Sequence, residues 1–368
     1  MAEATPSRLH TAAAAVLAAL AALLGALAFA PGADAKAFVP PDKKVFHGVS
    51  DTGDIADYRS FVDQTKQHSA VMQDFFHWGV PLGTGALQRW RKTRTRGVLS
   101  LSTAPGGQPE VIDPKAIALG RGDDYMLSIN DSISDSRQVV YIRLFPEMNG
   151  HWNPYSAFNA DGSSRGSDHS TKWFKRAWQR FAIIVRGGPR AVLNERLRKR
   201  GMPRILRARS DNSKIYRRKG VPKRLPQPKV ALMWVPQTSG SPAVRGNSPQ
   251  SYWPGSRYVD WVGADVYGKY ANETLWRNLT RLYKRYDDKP FVIGEYSPWD
   301  IDLGGQFVRR LFDWAERHGR TRMLIYYRSV NPLNIFNLQF YPFSLDALRG
   351  ILNSSRYMAK APEYRKKG

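Results

Sequence analysis

The run Val139-Val140-Tyr141-Ile142-Arg143-Leu144-Phe145-Pro146-Glu147 is apolar almost throughout and stops at a proline and an acid. A stretch this short, rich in β-branched and aromatic residues, reads as a buried strand. Seven more apolar runs lie along the chain, at Val45–Val49, Ala70–Phe76, Gly97–Leu101, Val230–Trp234, Trp261–Val266, Phe291–Gly294 and Met323–Tyr327. Helical periodicity fills most of the gaps, at Ile55–Thr65, Gly85–Lys92, part of Pro114–Ile133, Thr171–Val185, Glu273–Tyr286, Phe307–His318 and Leu345–Met358. Strand and helix in regular alternation predict an α/β protein, a (β/α)8 TIM barrel. The fifth helix is the weakest, because Gln237–Tyr258 has loop composition.

The 368 residues allow about two domains of ~150 residues or one barrel of ~250 or more. The repeat selects a single barrel over residues 36–368. Ahead of it, Thr11–Ala30 is uncharged and mostly apolar, with Arg8 before it and Ala33-Asp34-Ala35 after it. That layout predicts a secretory signal over residues 1–35, or a retained N-terminal membrane anchor. The barrel is therefore expected to be exported, either secreted or held at the membrane.

A chain with no Cys has no disulfide scaffold, zinc-thiolate site or cysteine nucleophile. With 42% hydrophobic and 12% aromatic residues, disordered, collagen-like and coiled-coil classes are also set aside. The net charge is +25, and Arg186–Lys229 alone holds sixteen Lys or Arg against Glu195 and Asp211. This segment reads as a solvated, partly disordered insertion between the fourth helix and the fifth strand. The alternative is a docking patch for an anionic cell-envelope polymer. Export disfavours nucleic acid as its partner. No His spacing fits a metal site and no Gly-rich phosphate cradle is present, so no cofactor is expected; the expected state is a monomer. Gly162-Ser163-Ser164-Arg165-Gly166 matches G-x-S-x-G, but it follows a polar loop rather than the strand that a nucleophile elbow requires.

Glu occurs eight times, and two of these end strands. Glu147 closes the fourth and Glu295 closes Phe291-Val292-Ile293-Gly294-Glu295, the seventh. In this fold the chemistry sits at the carboxyl ends of the strands. Strand alternation predicts that Val140, Ile142 and Leu144 face the helices, while Tyr141, Arg143, Phe145 and Glu147 face the axis. It likewise places Phe291, Ile293 and Glu295 on the inner side of the seventh strand, and Gly263, Asp265 and Tyr267 on the inner side of the sixth. Two carboxyl groups across one cleft fit glycoside hydrolysis, one protonated to release the leaving oxygen and one ionised to attack or activate water. The bland alternative is that one of them merely pairs with buried Arg143.

Aromatic residues gather at or just beyond the strand ends: Trp152, Tyr155, Trp234, Tyr267, Tyr296, Trp299, Tyr326 and Tyr327. Flat rings suit sugar faces, and O–H or N–H groups remain for hydroxyls. His47 and His77 end the first and second strands and are expected near the mouth.

Three motifs, taken together in order and spacing, resemble glycoside hydrolase family 26. Arg143 to Trp152 (Arg-Leu-Phe-Pro-Glu-Met-Asn-Gly-His-Trp) is similar to that family's acid/base motif, Tyr258 to Tyr267 to its sixth-strand motif, and Lys289 to Glu295 to its nucleophile motif. The family is best known for secreted β-1,4-mannanases and includes β-glucanases and β-xylanases. The resemblance implies a retaining endo-β-glycanase acting on a β-linked polysaccharide, β-1,4-mannan foremost. It implies Glu147 as acid/base and Glu295 as nucleophile, with Tyr267 bonded to the nucleophile. Asp265 and Trp152 would shape the neighbouring subsites, and Arg143 would lie beneath the carboxylates as the counter-charge of an ionised Glu295. Tyr155, Trp234, Tyr296, Trp299, Tyr327 and His77 complete the expected substrate-binding set. Two positions depart from the family pattern. Pro146 stands where the family usually has His, removing a donor, and the eighth-strand aromatic is Tyr326 or Tyr327 rather than Trp. A glucanase, a xylanase, an envelope-polysaccharide hydrolase or a non-catalytic glycan-binding relative are the alternatives.

Overall fold

Seven of the apolar runs extend in the computed structural model to, or within one or two residues of, the expected ends, and the seventh strand runs on through Glu295. The structure describes residues 37–50, 53–205, 221–328 and 335–364; the expected signal lies outside them. The barrel strands are β1 (Val45–Ser50), β2 (Val71–His77), β3 (Arg96–Ser102), β4 (Val140–Leu144), β5 (Val230–Trp234), β6 (Trp261–Tyr267), β7 (Phe291–Ser297) and β8 (Thr321–Tyr326). Each pairs in parallel with the next, and β8 closes on β1 with Phe46 opposite Met323 and Val49 opposite Tyr326. Residues Ala37–Gly368 form one compact unit.

The helices are α1 (Ile55–Thr65), α2 (Thr84–Thr93), α3 (Pro114–Ala118), α4 (Asp123–Ser136), α5 (Thr171–Val185), α6 (Arg190–Arg198), α7 (Glu273–Arg285), α8 (Gln306–Arg317) and α9 (Pro342–Leu352). Local chemistry sets several of their starts. Asp54, Asp113, Ser170 and Asn272 each accept a backbone N–H of the first turn, worth about 1 kcal/mol apiece. The expected Pro114–Ile133 helix divides at Gly120–Gly122, where Gly120 has φ 92° and a Cβ on Gly122 would meet the Trp78 ring at 2.5 Å. The last helix begins earlier than its pattern, with Pro342 in its first turn, and ends at Leu352; Tyr357–Met358 instead pair in parallel with Val45–Phe46. Gln237–Tyr258 holds only the single turns Pro249–Tyr252 and Ser256–Tyr258, so β5 lacks a following α-helix among the described residues.

Two apolar layers separate cleanly. The inner one, inside the barrel, contains Phe46, Val71, Val98, Tyr141, Met233, Trp261, Val292, Met323 and Ile325. Ala37 and Phe38 pack beneath it, where the Tyr141 hydroxyl donates to Phe38 O at 2.6 Å and Trp261 Nε1 to Ala37 O at 2.6 Å. The outer layer, between strands and helices, contains Val140, Ile142 and Leu144, as alternation predicts. Alternation fails in two places. Phe145 lies in the outer layer, because β4 ends at Leu144 and Phe145 turns to φ 45°. Phe291 and Ile293 also face outward, with Val292 inside. Glu295 nevertheless reaches the mouth, because β7 carries one extra residue there. Ala264 pairs with Ile293 but Asp265 pairs with Glu295, and the register against β8 slips at the same point. Gly294 is the extra residue of this β-bulge.

The basic segment is more ordered than its composition suggests. Gly188–Pro189 pair antiparallel with Arg224–Leu225, and α6 buries Leu193 and Leu197. Arg180, fully buried on α5, grips Asp123 with two guanidinium nitrogens at 2.7 and 2.6 Å and donates to Pro203 O at 2.8 Å, tying the segment down. Residues 206–220 lie outside the described structure.

Candidate active site

At the carboxyl end of the barrel, Arg143 of β4 stands upright from the inner layer and is only 1% exposed. Its Nη1 donates to Glu295 Oε1 of β7 and its Nη2 to Asp265 Oδ2 of β6. Buried charges need such partners, but one guanidinium cannot neutralise two carboxylates and the nearby Glu147 as well. A proton must remain in the cluster. Burial, reinforced by the charges of Glu295 and Glu147, pushes Asp265 well above the usual carboxylate range against the pull of Arg143. Glu147 is raised too, first by burial and then by the charge of Glu295. Gly294 lets this cluster close: a Cβ there would meet Asp265 Oδ1 at 2.8 Å and Arg143 Nε at 3.3 Å.

The other oxygen of Glu295 accepts a hydrogen bond from the Tyr267 hydroxyl, and Gln73 Nε2 of β2 donates to Oε1 at 3.4 Å. Burial raises Tyr267 well above its ordinary range, with the Glu295 carboxylate adding to the shift, so it stays a phenol and a donor.

Glu147 sits on the first turn beyond β4. Its φ is 51°, and with Phe145 it brackets Pro146 by two non-glycine residues in the left-handed region. Such conformations cost about 1 kcal/mol or more each and collect where a side chain must be aimed. The turn is held by Glu147 N donating to Val235 O at 2.8 Å, and by the Tyr155 hydroxyl and Asn153 Nδ2 donating to Pro146 O at 2.6 and 3.3 Å. The carboxyl itself accepts Trp152 Nε1 on Oε2 at 2.9 Å and Gln237 Nε2 on Oε1.

An aromatic wall rises beside Glu295. The Tyr267 ring lies 5.2 Å from Trp299, 6.0 Å from Tyr327 and 5.9 Å from Phe336, and Tyr327 lies 5.8 Å from Phe75. Phe75 is 48% and Trp152 50% exposed, so apolar rings stand open on both sides of the carboxyl pair.

The structure thus brings together Glu147, Glu295, Arg143, Asp265, Tyr267, Trp152, Trp299 and Tyr327. Tyr155, Trp234 and Tyr296 do not join them, and the expected sugar contacts are not available to these three. Each is fully buried in the outer layer: Tyr155 behind Phe145, Trp234 against Trp253 and Tyr286, Tyr296 against Phe312 and Tyr326. Trp234 and Tyr296 sit near strand ends but point away from the axis, and Tyr155 lies in the loop beyond β4. His47 is buried beside Tyr296, its Nε2 2.6 Å from that hydroxyl, and burial lowers it to about 3, so it is neutral packing. His77 is half-buried, with Nδ1 3.1 Å from Trp78 O. Sequence reading missed Gln73, Phe75, Gln237 and Phe336. Gln73 and Phe75 share the inward parity of β2, which was a usable signal; Gln237 and Phe336 lie in loops without one. Among the described residues no cluster of three or more His, Asp or Glu is arranged to hold a metal.

Residues 229–292 match the family model described as Glycosyl hydrolase family 26. The match includes Asp265 and Tyr267 and stops short of Glu295. A search of curated protein sequences gave no match. Among solved structures, the Bacillus subtilis mannanase man26 superposes with a TM-score of 0.56 at 15% identity, covering 91% of this chain and 92% of that one. The Bacillus subtilis mannanase BCman gives 0.54 at 15% identity, with 91% and 92% covered. The GH26 domain of the Prevotella bryantii endo-β-mannanase/endo-β-glucanase gives 0.54 at 12% identity, with 90% and 97% covered. At these identities the superpositions establish the fold, and the family model adds the pattern of β5, β6 and the first two residues of β7. The chain thus folds as a (β/α)8 barrel like these structures, and its residues 229–292 carry a pattern similar to that of Glycosyl hydrolase family 26.

Proposed function

We propose that the protein is an exported endo-β-glycanase that cleaves a β-linked polysaccharide, β-1,4-mannan foremost, by double displacement. The observation that carries this reading is the unequal treatment of two neighbouring carboxyl groups. Glu147, pushed upward by burial and by the charge of Glu295, is suited to keep a proton for the leaving oxygen. Glu295, fixed on both oxygens by Arg143 and Tyr267, is suited to attack the anomeric carbon. Mannan comes first because the barrel superposes on mannanases. Pro146 and the tyrosine at 326 or 327, standing where the family that the chain resembles usually has His and Trp, favour testing glucan and xylan beside it.

The purified protein should release reducing ends from galactomannan faster than from lichenan, xylan or carboxymethylcellulose. Binding without release from any of these would make it a glycan-binding protein instead. Export belongs to the same proposal: mass spectrometry of protein from the medium should find an N-terminus near Lys36, and purely intracellular material with an intact Met1 would contradict it.

A specific observation favours a second contact. α6 and the residues after it expose Arg196, Arg198, Lys199 and Arg200 with Glu195 as the acid among them. Lys172 and Arg176 of neighbouring α5, together with Lys115 of α3, surround the Trp173 ring at 5.4, 5.1 and 6.0 Å. We propose that this face holds an anionic envelope polymer. The triple variant Arg196→Ala, Lys199→Ala, Arg200→Ala should elute from an immobilised polyanion at lower salt than wild type, while cleaving soluble oligosaccharides normally. Equal elution would remove the polymer from the account.

A further inference from the structure

Glu147 faces Asp265, Glu295 and Arg143 in the buried cluster, and it accepts one hydrogen bond from an indole inside its own motif and another from Gln237, ninety positions along the chain. That second donor is held with unusual care. Asn149 is fully buried two residues past Glu147. Its Oδ1 accepts Gln237 N at 2.9 Å and its Nδ2 donates to Gln237 O at 3.1 Å, a reciprocal clasp like one rung of a sheet. The same Nδ2 donates to Ser239 O at 3.0 Å, and the backbone carbonyl of Asn149 accepts Ser241 N at 2.9 Å and Asn247 Nδ2 at 3.1 Å. The loop after β4 and the loop after β5 are thereby locked, with one amide aimed at the carboxyl that must gain and lose a proton.

We infer that Gln237 is a positioning residue for Glu147, clasped by Asn149, and that its amide sets how readily Glu147 gives up its proton. The inference rests on the reading of Glu147 as acid/base and deepens it. The chemistry distinguishes the two donors. An indole N–H only donates, so Trp152 favours the ionised carboxylate in every step. A primary amide can donate with its nitrogen or, turned over, accept with its oxygen. Gln237 can therefore follow both states: N–H toward the carboxylate when Glu147 serves as base, C=O toward the hydroxyl when it serves as acid. Burial and the charge of Glu295 favour the protonated form while Arg143, Asp265 and Trp152 oppose it, and an amide N–H donated to the carboxylate acts on the side of the latter.

The test uses the full chain labelled with ¹³C at the Glu carboxyl carbons, the Glu147 resonance being assigned by its loss in Glu147→Gln. Gln237→Leu removes the donor at similar volume and should move the Glu147 titration upward by about one pH unit, the scale of a hydrogen bond to a charged acceptor. Gln237→Glu places a second carboxylate there and should move it further. The basic limb of kcat/KM, which reports the acid of the free enzyme, should shift by the same amount with KM little changed. Gln237→Asn, which keeps the amide but withdraws it, serves where the leucine variant fails to fold. A titration unmoved in Gln237→Leu and in Gln237→Asn, or a fall in kcat with the limb in place, overturns the positioning role. A titration that moves while the kinetic limb ignores Glu147→Gln leaves the clasp standing and overturns the acid/base reading.

Discussion

Glu295→Ala should abolish polysaccharide cleavage, whereas Glu147→Ala should fail selectively. Without the nucleophile, no glycosyl-enzyme forms on any substrate, and the loss should exceed about 10⁴-fold, ~5 kcal/mol of transition-state stabilisation. Added azide should then give at most an α-azide of inverted configuration. Glu147→Ala keeps Glu295 with Arg143 and Tyr267 in place. On polymer it should lose about 10²–10⁴-fold, the share of a general acid. An aryl glycoside needs no acid to depart, so this variant should glycosylate itself, stall, and be rescued by azide as a β-azide. Stereochemistry of the two azides, read by NMR, separates the roles. Two well-folded variants that both cleave polymer within about tenfold of wild type, ~1.4 kcal/mol, would remove both residues from the chemistry.

The second large effect is expected at Arg143. Arg143→Leu leaves Glu295 and Asp265 buried without their shared counter-charge, and breaking one side of a buried pair costs about 3–5 kcal/mol. The pH dependence has a definite sign. Burial already raises Asp265, and without Arg143 pulling downward it rises further, so the folded variant binds more protons than the unfolded chain. Stability then falls as pH climbs from the unfolded carboxylate range toward the raised folded value. Urea unfolding should show a deficit at pH 7.5 that shrinks at pH 5. A deficit equal at both pH values would mean that Arg143 supports the barrel by packing rather than by charge.

Elements with strong periodicity were legible in the sequence to the residue. α1 and α5 match their patterns at both ends, and β5 is the run Val230–Trp234 unchanged. Glu147 and Glu295 stood out because Glu is scarce and both lie at the carboxyl ends of apolar runs, although β4 stops at Leu144 and β7 continues to Ser297. Direction was the harder part. Near a strand end, one residue decides between axis and helix layer, and that decision turned Trp234 and Tyr296 away from the site, while Tyr155, in the loop beyond β4, packs behind Phe145. The bulge in β7 left no trace but a glycine, so Glu295 was assigned to the correct side by alternation that does not hold along that strand. Phe145 failed for the opposite reason, since β4 had already ended. α6 shows Leu193 and Leu197 four apart, a signal outweighed by the surrounding charge. Gln237 had no signal at all, because an amide in a polar loop acquires its role only when Asn149 closes on it.

The extra residue at Gly294 bears on how distant relatives should be lined up. Along β7 the outward side chains are Phe291 and Ile293, and a gapless comparison that matches this apolar rhythm to an unbulged strand slips by one position beyond it. The acid would then be set opposite a neighbour that faces the helices. At identities of 12–15%, that offset is enough to hide an equivalent carboxylate or to suggest a false one. Alignments here should be anchored on Asp265 facing Glu295 across β6 and β7, with a one-column gap allowed at the glycine.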